Sequence, residues 1–115
     1  MFTSKKKKIK AYLDEKIGVE CAFDCLLADY LSGELKGTLI SMGIVKTEIY
    51  VDLSADMKCI EIQGRYNEYY LDVQIYPNEF IISIDKDEPD EGEEYPLGSR
   101  KQLYKELLRE LSSLK

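Results

Sequence analysis

Four short segments of alternating apolar and polar residues, strung from Thr47 to Asp85, constrain this chain more than any other feature in it. Ile49, Val51 and Leu53 alternate with Tyr50 and Asp52, and Ile60 and Ile62 with Cys59, Glu61 and Gln63. Tyr69, Leu71, Val73 and Ile75 alternate with Tyr70, Asp72, Gln74 and Tyr76; Phe80, Ile82 and Ile84 alternate with Ile81, Ser83 and Asp85. A period of two sends successive side chains to opposite faces, so each segment is predicted as a strand with one buried and one wet face. The linkers Ser54-Ala55-Asp56, Gly64-Arg65-Tyr66-Asn67 and Pro77-Asn78 are short. Pro presets φ for the first central residue of a turn and Asn tolerates the second, so Pro77-Asn78 is a turn with a mechanism. A parallel crossover needs about a dozen residues, and linkers this short therefore require antiparallel neighbours. A four-stranded antiparallel meander follows.

One face of that sheet needs a cover, and three helices are predicted to supply it. In the C-terminal one, Ser99 and Gln102 form a capping box, and Leu103, Tyr104, Leu107, Leu108, Leu111 and Leu114 make an apolar stripe. A second, from about Val19 to Leu31, carries Val19, Ala22, Phe23, Leu26, Leu27, Tyr30 and Leu31 on one side and stops near Gly33. The first, from roughly Lys8 to Ile17, has its charges in the wrong order for the helix dipole: lysines 5 to 8 at the positive end, Asp14 and Glu15 at the negative end. A frayed basic tail over residues 1–7 is expected. In residues 34–46, Gly37 and Gly43 oppose a long helix, leaving a fifth strand or a short helical turn open. The expected class is α+β: N-terminal helices, a four- or five-stranded antiparallel meander and a C-terminal amphipathic helix on one sheet face.

A chain of 115 residues makes one domain, 1–115, with a core that needs no metal or disulfide. Its net charge of −6 is unevenly spread, and it has no histidine. Six lysines against Asp14 and Glu15 put residues 1–16 at +4, whereas Asp85, Asp87, Glu88, Asp90, Glu91, Glu93 and Glu94 against Lys86 put residues 85–98 at −6. No apolar run follows the lysines, so a secretory signal is not expected. Nothing approaches the ~18 consecutive apolar residues of a membrane helix. Three cysteines, an odd number, suit a reducing compartment, and a cytoplasmic location is expected.

Chemistry has few candidates. Cys21, Cys25 and Cys59 lack the fourth Cys or His and the paired spacing of a closed zinc site, and free Cys otherwise behaves as a small hydrophobe. Thiolate activation normally draws on a His or a cationic helix end, and without His a Ser-His-Asp arrangement is excluded. Carboxylates could act as acid and base, but no pair among so many stands out. The stretch from Asp85 to Glu94 does not match the spacing of a calcium loop. It reads either as a solvated loop or as a docking surface that draws in a basic partner. No cofactor, metal or catalytic group is expected.

Nine tyrosines and no tryptophan give the second signal. If Ile60, Val73 and Ile82 face the helices, Tyr50, Tyr70, Tyr76 and Ile81 lie on the other sheet face among Asp52, Glu61, Asp72 and Gln74. Tyr offers contact area with a polar tip and is enriched at interfaces, although it also has high strand propensity. The expected partner-binding residues are Tyr50, Tyr70, Tyr76, Asp85, Asp87, Glu88, Asp90 and Glu91. Nucleic acid is not expected as a ligand: beyond the N-terminal lysines the charge would repel a polyanion.

From Cys59 to Leu114 the layout resembles the small acidic immunity proteins of bacterial polymorphic and contact-dependent toxin systems. The residues concerned are Tyr70-Leu71-Asp72-Val73-Gln74-Ile75-Tyr76 leading into Phe80 to Asp85, the acidic loop, Tyr95, Ser99 and the helix of Leu103, Leu107 and Leu111. It is a likeness of layout and charge over about half the chain, and layout alone does not establish function. The resemblance implies a protein that binds a cognate toxin, often over its active site, and does no chemistry itself. The expectation is therefore a non-enzymatic acidic inhibitor of a basic toxin or effector. A specialised secretion chaperone, which would be a homodimer, and a phage-type inhibitor mimicking nucleic acid stay open as alternatives.

Overall fold

The computed structural model describes residues 5–16, 21–54, 57–86 and 92–114. The elements run α1 (Lys5–Glu15), α2 (Ala22–Ser32), α3 (Glu34–Ser41), β1 (Val45–Ser54), β2 (Met57–Tyr66), β3 (Tyr69–Ile75), β4 (Glu79–Asp85), β5 (Glu93–Pro96) and α4 (Arg100–Ser112). The five strands form one sheet in the order β1-β2-β3-β4-β5, each pair antiparallel. The expected α+β meander is present, with a C-terminal helix packed on one face.

The alternation maps onto the sheet row by row. Val51, Ile60, Ile75, Phe80 and Tyr95 lie opposite one another across all five strands, and Ile49, Ile62, Val73 and Ile82 across four. These rows meet Ile9 of α1, Phe23, Leu26 and Leu27 of α2, Leu35 and Leu39 of α3 and Leu103, Leu107 and Leu111 of α4 in one core. The helices thus take one side of the sheet. Tyr95 stacks on Phe80 with ring centroids 5.1 Å apart, and Arg109 Nη2 of α4 donates to the Tyr95 hydroxyl at 3.2 Å.

Four boundaries differ from the sequence reading, and of the two alternatives open for residues 34–46 the helical one is present. The fifth strand is not in residues 34–46, where Leu35 and Leu39, one turn apart and both buried, hold a helix in place. It is β5, built from Glu93 to Pro96 inside the stretch expected as acidic loop. The linker expected at Gly64 to Asn67 is mostly strand, since β2 runs to Tyr66 and only Asn67 and Glu68 turn. Asn67 adopts φ +53°, a left-handed conformation that Asn tolerates. Gly64 sits in the strand because a Cβ there would come within 2.7 Å of Ile44 Cγ2; it marks a close approach, not a turn.

Lys5 to Lys7 are helical in α1, not part of a tail. Tertiary packing outweighs the unfavourable dipole: Ile9 is buried, and Lys58 Nζ of β2 donates to the Tyr12 hydroxyl at 3.3 Å while lying 4.9 Å from its ring centroid. α2 starts at Ala22, with Cys21 as N-cap accepting from the Asp24 N–H at 3.5 Å. It ends at Gly33, whose φ of +86° turns the chain straight into α3. In α4 the Ser99 half of the expected capping box is present, with Gln102 N–H donating to Ser99 Oγ at 3.1 Å, while Gln102 Oε1 accepts from Gly98 N–H at 2.8 Å in place of Ser99 N–H. Leu108, however, is 46% exposed and stands outside the apolar stripe.

Candidate functional site

The second sheet face carries a different chemistry. Its rows read Tyr50, Glu61, Gln74, Ile81 and Glu94; then Glu48, Gln63, Asp72 and Ser83; then Arg65, Tyr70 and Asp85, with Asp52 beside Cys59. Tyr50 and Tyr70 are 43% and 42% exposed. Three of the residues expected to bind a partner, Tyr50, Tyr70 and Asp85, therefore share this face. Tyr76, just past β3, joins them through its hydroxyl, which donates to Gln74 Oε1 at 3.2 Å. Asp87, Glu88, Asp90 and Glu91 lie outside the described residues.

Carboxylates dominate the electrostatics of this face. Asp72 is pushed up from 3.8 to about 6, first because it is half-buried and then because Glu61 stands diagonally across the strands, opposing it by charge and sharing a hydrogen bond with it. Asp72 Oδ1 is buried and accepts no hydrogen bond. Glu61 Oε2 accepts from Gln74 Nε2 at 3.4 Å, and the Tyr50 hydroxyl donates to Glu48. That bond raises the Tyr50 pKa, so the phenol stays protonated as a donor. Cross-strand like charges destabilise a sheet, and here they concentrate on the side away from the described helices.

The guanidinium of Arg65 lies 4.3 Å from the centroid of the Tyr70 ring, a cation–π contact on this same face. Sequence reading placed Arg65 in a turn and so missed it. Placing Gly64 in the strand would have recovered it, since residues 59, 61, 63 and 65 then share one side. A shallow cleft of about 290 Å³ lies between Tyr50, Asp52, Met57, Cys59, Glu61 and Tyr76. Its walls combine aromatic, thioether and carboxylate groups.

The cysteines do not converge. Cys21 and Cys25 belong to α2 on the helical side, and Cys59 lies on the tyrosine face. Burial raises the Cys21 and Cys59 pKa values, which keeps both as thiols and makes them poor nucleophiles at neutral pH. Among the described residues, no group of three or more His, Cys, Asp or Glu side chains is placed to hold a metal ion. Nor is any described helix long and apolar enough to cross a membrane.

A second polar cluster, unmarked in the sequence, ties α2 to α4. Asp29 is buried and accepts from Arg100 Nη1 at 2.7 Å and from the Tyr104 hydroxyl at 3.1 Å. Tyr104 is raised by burial and by Asp29. Both Asp29 carboxylate oxygens accept a hydrogen bond there, which is the pattern of a structural tie. Compared with known proteins, the chain matches no family model, no curated protein and no solved structure.

Proposed function

We propose that this chain is a non-enzymatic binding protein whose tyrosine-and-carboxylate sheet face docks a basic protein, in the manner of an immunity protein that occludes a toxin. One observation carries the reading: Glu61 and Asp72 stand diagonal to each other on the face turned away from the described helices, with Asp72 Oδ1 buried and unbonded. Cationic side chains of a partner would supply the missing donors. Tyr50 and Tyr70, exposed on either side of that pair, would give aromatic contact with polar tips. The remaining carboxylates would speed encounter with a basic surface.

The test is affinity capture from the source cells, followed by titration of the captured protein's own activity. A basic protein silenced at stoichiometric amounts is expected. Reversing the face with Glu61→Lys and Asp72→Lys should weaken capture at least about tenfold, while Glu106→Lys on α4 should not. Capture of no basic partner, or capture indifferent to the reversals at 61 and 72, ends the proposal.

A further inference from the structure

The two edges of the sheet are unlike. β5 is four residues long, carries Glu93 and Glu94 and ends in Pro96, all features that blunt an edge against further pairing. β1 is ten residues long. It is irregular only between Val45 and Glu48, where Lys46 adopts φ +54°. From Glu48 to Ser54 it is regular and contains neither Pro nor Lys. Among the described residues no strand lies on its outer side.

Hydrogen-bond parity says which groups that edge offers. Tyr66 and Tyr69 close the two-residue turn at Asn67-Glu68, so they are a hydrogen-bonded pair, and Gly64, Ile62 and Ile60 also bond to β3. The intervening Gln63, Glu61 and Cys59 bond to β1 through Glu48, Tyr50 and Asp52. The backbone N–H and C=O of Ile49, Val51 and Leu53 therefore point outward.

We propose that two copies of the chain pair antiparallel through β1, centred on Val51, joining two five-stranded sheets into one of ten strands. Of the registers centred on Tyr50, Val51 and Asp52, this one alone sets no like charges opposite each other. With Val51 opposite Val51, Ile49 faces Leu53, Tyr50 faces Asp52 and Glu48 faces Ser54. Centring on Tyr50 sets Glu48 against Asp52, and centring on Asp52 sets that carboxylate against its own copy, both repulsive. Centring on Val51 also aligns the outward N–H and C=O groups of the two copies. A cavity of about 410 Å³ between α1 and β1, lined by Lys8, Ile9 and residues Val51 to Ser54, lies along the same edge. Leu53 is one of its walls, so the partner's Ile49 would pack there. The tyrosine face stays uncovered and is doubled in width, so the pairing does not depend on the docking proposal.

Sedimentation equilibrium of the full chain tests this, with two sets of variants. The expected result is a concentration-dependent dimer with a Kd below about 1 mM. Ser54→Lys, opposite Glu48, should tighten it and Ser54→Glu weaken it, each by about 2- to 30-fold because the pair occurs twice. In a Cys21→Ser, Cys25→Ser, Cys59→Ser background, mild oxidation should cross-link Val51→Cys, since opposed Cα atoms about 5.5 Å apart suit a disulfide. Tyr50→Cys, opposite Asp52, should not cross-link. A monomer throughout the range, a Kd unmoved by charge at position 54, or cross-linking at 50 in preference to 51 overturns the proposal.

Discussion

Asp72 offers the sharpest test of how this sheet face is balanced. Its carboxyl holds a proton up to about pH 6 in the folded chain, against 3.8 for the free group. The folded state therefore binds that proton more tightly than the unfolded state. The residue's contribution to stability is most favourable below pH ~4 and is lost as pH rises to about 6. For a fully buried group the shift would amount to about 3 kcal/mol at neutral pH. Asp72 is half-buried, and solvent screening reduces that to about 1 kcal/mol. Asp72→Asn removes the charge that opposes Glu61 and leaves a side chain of the same shape. The variant should match the wild type near pH 4 and exceed it by about 1 kcal/mol at pH 7, about 4 °C in Tm. Urea unfolding followed by circular dichroism across that range measures it, because the difference between the two proteins cancels the titration of other carboxylates. An Asn variant no more stable at pH 7 than the wild type, or a difference independent of pH, would refute the reasoning.

Other perturbations act on the helical side and on the strand packing. Gly64→Ala places a Cβ within 2.7 Å of Ile44 Cγ2 and 3.3 Å of the Val45 carbonyl; it should cost about 1–3 kcal/mol in urea unfolding, and Ile44→Ala combined with it should cost less than the two separate losses added. Asp29→Ala strands the Tyr104 hydroxyl and the Arg100 guanidinium and should cost about 3 kcal/mol by thermal unfolding. Arg100→Ala should cost only about 1 kcal/mol, since its guanidinium is half-exposed and Tyr104 keeps its bond. Leu107→Ala, at a fully buried position of α4, should cost about 2–5 kcal/mol in the same assay.

Legibility followed periodicity. The four alternating segments determined which residues of β1 to β4 face the core, because a strand buried on one side allows no other register. The cap of α4 was visible for the same reason: Ser99 and Gln102 sit three apart, a spacing with one geometric meaning. Features made by distant partners left no such trace. Asp29 meets Arg100 and Tyr104 across more than seventy positions, and nothing around Asp29 in sequence separates it from a solvated carboxylate. Gly64 misled because turns and close approaches both select Gly, and only the position of Ile44 distinguishes them. β5 was hidden by its own composition, as Glu93 and Glu94 read as loop until Tyr95 is seen stacked on Phe80.

The two polar clusters make opposite use of the same residue type, and that contrast bears on the docking proposal. On the helical side, Asp29 is buried with a cation and a phenol on its oxygens, so nothing remains for another molecule to supply. On the sheet's other side, Asp72 is half-buried against Glu61 with one oxygen unbonded. A buried acceptor left unsatisfied costs about 1–3 kcal/mol; Asp24 Oδ1 on α2 is in the same state, so it is the neighbouring Glu61 carboxylate that sets Asp72 apart. A cation placed over the pair would remove the cost and release the proton Asp72 holds. On the proposed reading, association with a basic partner should then strengthen as pH rises from about 5 to about 7, and Asp72→Asn should abolish that dependence. Calorimetry in buffers of different ionisation enthalpy would detect the released proton. Binding without proton release would place the partner elsewhere on the molecule.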